Sequence, residues 1–122
     1  NIIRMLTESA DAPTLIVNYG EVLQEMTSRL RLEALEAGHD PVLKTLMGLL
    51  TDRLNALGGP VQTRRRPVAP VEVATPNGPW RFLTTVAHFG TSEDVTVRDL
   101  RLELLFPADD ETRAALSAAF GA

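Results

Sequence analysis

Apolar residues recur at Tyr19, Val22, Leu23, Met26 and Leu30, which is the three-and-four spacing of one helix face. Asn18 stands just ahead of them with Glu21 three residues on, a capping-box pattern that predicts a helix start at Asn18. Arg29, Arg31, Glu33 and Glu36 fall mostly on the other side, and Gly38 predicts the stop. A second stripe follows at Leu43, Leu46, Met47, Leu50, Leu54 and Leu57. It opens on Asp40-Pro41, a capping carboxylate and a proline at the first helical position, and ends at Gly58-Gly59-Pro60. So short a connection predicts that the two helices pack as an antiparallel hairpin. Ahead of them, Ile2, Ile3, Met5 and Leu6 predict a turn or two of helix, and Ser9 to Pro13 reads as a break.

The period then changes. Val71, Val73 and Thr75 alternate with Glu72 and Ala74, which predicts a strand. Asn77-Gly78 predicts a two-residue hairpin turn, with Pro76 and Pro79 confined to the strand ends because neither can donate to a ladder. The return strand is expected from about Trp80 to Phe89, and Gly90 to Thr96 is turn-like. Thr96 with Asp99 could cap a single helical turn. Leu100, Leu102, Leu104 and Phe106 alternate with Arg101, Glu103 and Leu105, which predicts a half-buried strand stopped by Pro107. Asp109 and Asp110 suit the start of a last helix carrying Leu116, Ala119 and Phe120. Three strands so close in sequence predict an antiparallel meander with helices before and after it, an α+β arrangement.

Length and charge narrow the function. The 122 residues fit one domain, 1–122, and the apolar share of 44% suffices for one ordinary core. A net charge of −4 disfavours non-specific binding to nucleic acid. The absence of cysteine removes disulfides and thiolate chemistry and fits a reducing cytoplasm. No apolar run reaches the length of a membrane span and no signal-peptide pattern is visible. The chain begins at Asn1, and a longer protein with a segment upstream is expected.

Candidate chemistry is sparse. His39 and His88 are the only histidines, and neither belongs to a ligand-spaced pair, so no metal site and no cofactor are expected. No nucleophile elbow or phosphate-binding glycine motif is present. Asp94, Asp109, Asp110 and Glu111 are explained by turns and caps, and Arg64-Arg65-Arg66 by a solvated loop between Val61 and Pro70. An enzyme is therefore not expected. Thr84 and His88 share strand parity with Phe82 and Val86, so one strand face mixes apolar bodies with two polar tips, as small-molecule pockets do.

Several short motifs, in order and at the expected distances, carry a resemblance. They are the opening Asn1-Ile2-Ile3-Arg4-Met5-Leu6, Asn18-Tyr19-x-x-Val22, Arg29-Leu30-Arg31-x-Glu33-Ala34 and Asp40-Pro41-x-Leu43-x-x-Leu46. Further on come Phe89-Gly90-Thr91-x-x-Asp94-Val95-Thr96, Leu100-Arg101-x-Glu103 and Phe106-Pro107-Ala108-Asp109. Together they resemble the ligand-binding domain of MmyB-like transcription regulators, bacterial proteins with an XRE-type helix-turn-helix ahead of this domain. Tyr19 stands where the family usually has Trp, and Gly58 to Pro70 lacks the Phe-x-x-x-Trp-x-x-His pattern of many members.

The resemblance implies a PAS-like domain that senses a small molecule, such as an apolar, fatty-acid-like acyl ligand, and contacts DNA only through the upstream part. The expected site lies between the sheet and the Leu43–Leu57 helix. Its candidate lining is Tyr19, Met26, Met47, Leu50, Trp80, Phe82, Thr84, Val86 and His88. A homodimer is expected, since operators with two-fold symmetry call for dimeric readers. The alternative is a ligand-free dimerisation module, with the little-charged Trp80–Phe89 strand as the contact.

Overall fold

Asp40 starts a helix because its carboxylate accepts the amide of Val42 at 2.8 Å while Pro41 needs no partner for a hydrogen it lacks. That helix is one of five in a computed structural model that describes residues 2–60, 68–88 and 100–121, with the backbone alone at His88. The helices are α1 (Ile2–Glu8), α2 (Ala12–Leu15), α3 (Tyr19–Ala37), α4 (Pro41–Ala56) and α5 (Asp110–Phe120). The strands are β1 (Val71–Val73), β2 (Trp80–His88) and β3 (Arg101–Pro107). They form one antiparallel sheet in the order β1-β2-β3, so the protein is α+β. This is compatible with the PAS-like arrangement that the resemblance implies. The expected turn at Gly90 to Thr96, the helical turn at Thr96 and Asp99, and the Arg64–Arg66 loop all fall outside the described residues.

The helical stripes meet as expected. Tyr19, Val22, Leu23, Met26 and Leu30 of α3 join Leu46, Leu50 and Leu54 of α4 in one buried cluster with Ile3 and Leu6 of α1, Ala12 of α2 and Ile16. Gly38 carries a φ of +71° between α3 and α4, which an L side chain would strain to adopt. Leu57, the last member of the α4 stripe, is 48% exposed because the helix has already ended at Ala56.

Four local expectations are corrected. The stretch from Ser9 to Pro13 contains the start of α2, with Pro13 in its first turn. Asn18 precedes α3, but its side chain makes no cap bond; the amide instead donates to the Pro70 carbonyl at 2.6 Å and accepts from the Glu72 amide at 3.0 Å. The long-range bonds are the shorter ones, and Glu21 is met only at 3.5 Å. Asn77-Gly78 does not form a two-residue hairpin turn. Val73 pairs with Trp80, and the turn bond runs from the Gly78 amide to the Thr75 carbonyl, with Pro76 and Asn77 between them. Asn77 keeps a negative φ, and proline at the second position with glycine at the fourth suits a type I turn. Finally, β3 is exposed over Arg101–Phe106 rather than half-buried, and Phe120 of α5 is 75% exposed.

The two sheet edges differ. Residues 15–17 run beside β1: Ile16 bridges Val73, the Val17 amide donates to Glu72 at 2.7 Å, and the Ala74 amide donates to Leu15 at 2.8 Å. The β3 edge has no ladder partner among the described residues.

Asp109 fastens α5 to the sheet. It accepts the Thr112 amide at 2.7 Å and Arg81 Nη1 at 3.1 Å, while the buried Thr112 hydroxyl accepts the Arg81 amide at 3.0 Å. Hydrogen bonds from the Thr112 hydroxyl and amide, then from Arg81, hold the Asp109 carboxyl below its usual pKa. Arg81 is shifted upward by the same bond and by Glu72 nearby. A carboxyl with a lowered folded pKa contributes stability that is fully present above its unfolded value of about 3.9 and lost as pH falls through the folded value. The Asp109→Asn variant is therefore expected to be less stable at neutral pH and to converge on the wild type below about pH 4. Urea midpoints measured against pH check this, and two parallel acid limbs would contradict it.

Candidate functional site

The inner sheet face does not close completely against the helices. Between them lies a cavity of about 500 Å³. Helix α1 contributes Ile2, Met5 and Leu6; α2 and the residue after it contribute Ala12, Leu15 and Ile16; α3 contributes Val22 and Met26. The sheet supplies Val71 and Val73 from β1, Phe82 and Thr84 from β2, and Glu103 and Leu105 from β3. Strand alternation explains the set. Val71 pairs with Phe82, Thr84 with Leu105 and Val86 with Glu103, so these side chains share one face. The lining is overwhelmingly apolar, with Ser9, Thr84 and Glu103 as the polar exceptions.

Thr84 is 7% exposed and lies between two spaces. It lines the apolar cavity and also a recess of about 450 Å³ bounded by Arg29, Leu32, Glu33 and Glu36 of α3 with Thr85, Val86 and Arg101 of the sheet. Arg29 Nη1 reaches the Thr84 hydroxyl at 3.5 Å while its Nε donates to Glu25 at 3.2 Å. A ligand body in the apolar cavity would thus meet the Thr84 hydroxyl and Glu103, with Arg29 on the far side of Thr84. A further recess of about 440 Å³ lies between the Asn77–Pro79 turn and α5.

The structure brings together three of the nine residues expected at a site: Met26, Phe82 and Thr84 all line the cavity. Tyr19 stands behind the wall. It is 5% exposed, its hydroxyl donates to the Leu6 carbonyl near the end of α1, and Arg53 Nε donates to it at 3.1 Å. The Leu6 carbonyl belongs to the last turn of α1, where helix carbonyls lack partners within the helix. Leu50 and Met47 lie on α4, which packs against α3 and α1. Trp80 lines the recess beside α5 and Val86 the one beside α3. The His88 side chain is outside the described residues.

The cavity therefore lies between the sheet and α1, α2 and α3, and not against the Leu43–Leu57 helix. Sequence reasoning missed the α1 and α2 side of the wall altogether. The only signal was Ile2 and Met5, whose spacing puts both on one helix face without saying what that face would cover.

Among the described residues no group of three or more His, Asp or Glu side chains could hold a metal, and no helix is long and apolar enough to cross a membrane. A partly open apolar cavity of this size with a few polar groups in its lining is what small-molecule-binding domains carry. The sequence agrees with the geometry. The chain belongs to the MmyB-like transcription regulator ligand binding domain family, whose profile matches residues 1–119. It is thus a ligand-binding domain of the kind found in transcription regulators. No curated protein and no solved structure matches it.

Proposed function

We propose that this domain senses an apolar, acyl-type small molecule and regulates transcription through a helix-turn-helix part joined ahead of α1, working as a homodimer in the cytoplasm. The observation that carries this reading is the cavity of about 500 Å³ with its nearly unbroken apolar lining. Burial of an alkyl chain there would be favourable by about 0.8 kcal/mol per methylene before the costs of binding. Met26 suits a site that must fit a flexible chain, since an unbranched thioether adapts its shape. Thr84, with Arg29 behind it, is the polar end.

A ligand acts on such a protein only as far as it prefers one arrangement over another. Here α1 forms one wall of the cavity and is tied to α3 through Tyr19. Filling the cavity favours the arrangement in which α1 is seated, and α1 is the element nearest the expected DNA-binding part. DNA contact belongs to that part, since the domain itself is acidic.

Native mass spectrometry of the purified chain, before and after denaturation, tests occupancy. The expected result is an added mass that is lost on denaturation, or a long-chain fatty acid bound when supplied. Val73→Trp, on the cavity face of β1, should weaken that fatty acid at least about tenfold while the far-ultraviolet circular dichroism stays unchanged. An unchanged affinity would place the ligand elsewhere. A clean mass with no fatty-acid binding, in a chain that is dimeric, would favour the ligand-free dimerisation module instead.

A further inference from the structure

We infer that the open edge of β3 is the two-fold contact between two copies of this chain, paired antiparallel about Leu102 so that two three-stranded sheets become one of six strands. From the proposed function this inference takes only the dimeric state; it needs no ligand.

Three observations carry it. The β1 edge is occupied by residues 15–17, whereas β3 pairs with β2 alone among the described residues. An uncovered strand edge presents a row of backbone donors and acceptors to another chain. Second, β3 carries its charges, Arg101 and Glu103, on the inner face and leaves an apolar row on the other. Leu102, Leu104 and Phe106 share its outer face and are 44%, 43% and 49% exposed. Exposed apolar residues gathered on one strand mark an interaction surface.

Third, the strand is complementary to itself. Antiparallel pairing centred on Leu102 sets Leu102 against its own copy and Leu100 against Leu104 on the outer face. On the inner face it sets Arg101 against Glu103, twice by symmetry. A two-fold contact requires such self-complementarity, and cross-strand pairs of opposite charge or of apolar residues stabilise a ladder. Arg101 has five donors, so a bond across the axis leaves room for those it makes within the chain. Pairing of this kind keeps both inner faces on the same side of the joined sheet. Both α1 helices then stand on one side, as a reader of a two-fold operator requires.

The contact thus falls on β3 and not on the expected Trp80–Phe89 strand, whose described part is the middle strand, paired with β1 over Trp80–Phe82 and with β3 over Phe82–His88.

Sedimentation velocity of the purified chain from about 1 μM to about 1 mM tests the contact. The wild type should pass from monomer to dimer as concentration rises. Leu102→Glu sets two like charges against each other at the axis and should remain monomeric with an unchanged circular dichroism spectrum. Arg101→Glu and Glu103→Arg should each weaken the dimer at least about tenfold, and the double reversal should restore it, which a merely structural loss could not do. A wild type that stays monomeric throughout overturns both the contact and the dimeric part of the proposed function. A dimer that Leu102→Glu does not weaken, or that the double reversal does not restore, overturns this contact alone. None of these readouts depends on an occupied cavity.

Discussion

Leu50→Ala is expected to lower the unfolding free energy by about 2–5 kcal/mol. Leu50 is completely buried in the cluster that joins α4 to α3 and α1, and its truncation both forfeits apolar burial and leaves a void. Single domains unfold with about 5–15 kcal/mol in total, so this one change removes a large share. Leu57→Ala, in the same stripe but exposed, should cost no more than about 0.5 kcal/mol. Urea denaturation checks both, read as a shift of midpoint at constant slope. The pair also separates core from site. Leu50 is not part of the cavity wall, so fatty-acid affinity per folded molecule should be unchanged in Leu50→Ala. A selective loss of affinity would return the site to the Leu43–Leu57 helix. Leu50→Trp would overpack the helix core and would not fill the cavity.

The second large effect is expected at Asn18. Its side chain satisfies two backbone groups of the segment entering β1, the Pro70 carbonyl and the Glu72 amide. Asn18→Ala leaves both without that partner and should cost about 1–3 kcal/mol. The more telling variant is Asn18→Asp. Asp and Asn are equally good helix caps, so a residue that served only to start α3 would tolerate the exchange. A carboxylate can still accept from Glu72, but it places an oxygen against the Pro70 carbonyl where an N–H now donates. Asn18→Asp should therefore destabilise at least as much as Asn18→Ala at neutral pH. Hydrogen exchange at the Glu72 amide should quicken in the alanine variant first. Equal stability of Asn18→Asp and wild type would restore the capping role.

These residues mark where the sequence is legible. The helices and strands are readable because each rests on a local pattern: the α3 and α4 stripes have helical spacing, Asp40-Pro41 and Asp109 cap their own helices, and Val71 and Val73 alternate with Glu72. The candidate site is less readable. Phe82 and Thr84 could be named because strand parity aligns them, and Met26 because it lies on the buried face of α3. Leu50 and Met47 have the same apolar character as Met26. They differ only in which element faces them, and no spacing within α4 carries that. Tyr19 looked like a lining residue because it is aromatic; its hydroxyl is in fact committed to the end of α1 and to Arg53.

Family membership could be read from order and distance among short motifs, because chain order survives in the sequence. So could the α+β class, since each element needs only its own residues and near neighbours. Tertiary structure alone decided that α1, α2 and α3, rather than α4, wall the cavity opposite the sheet. It also decided that residues 15–17 run beside β1 while β3 pairs with β2 alone among the described residues, and that the Asn18 side chain bonds across to the segment entering β1 rather than capping α3. Each of these is a contact across tens of residues. Which partner wins depends on the competing bonds and surfaces that the whole chain presents once it is folded, and on no local pattern.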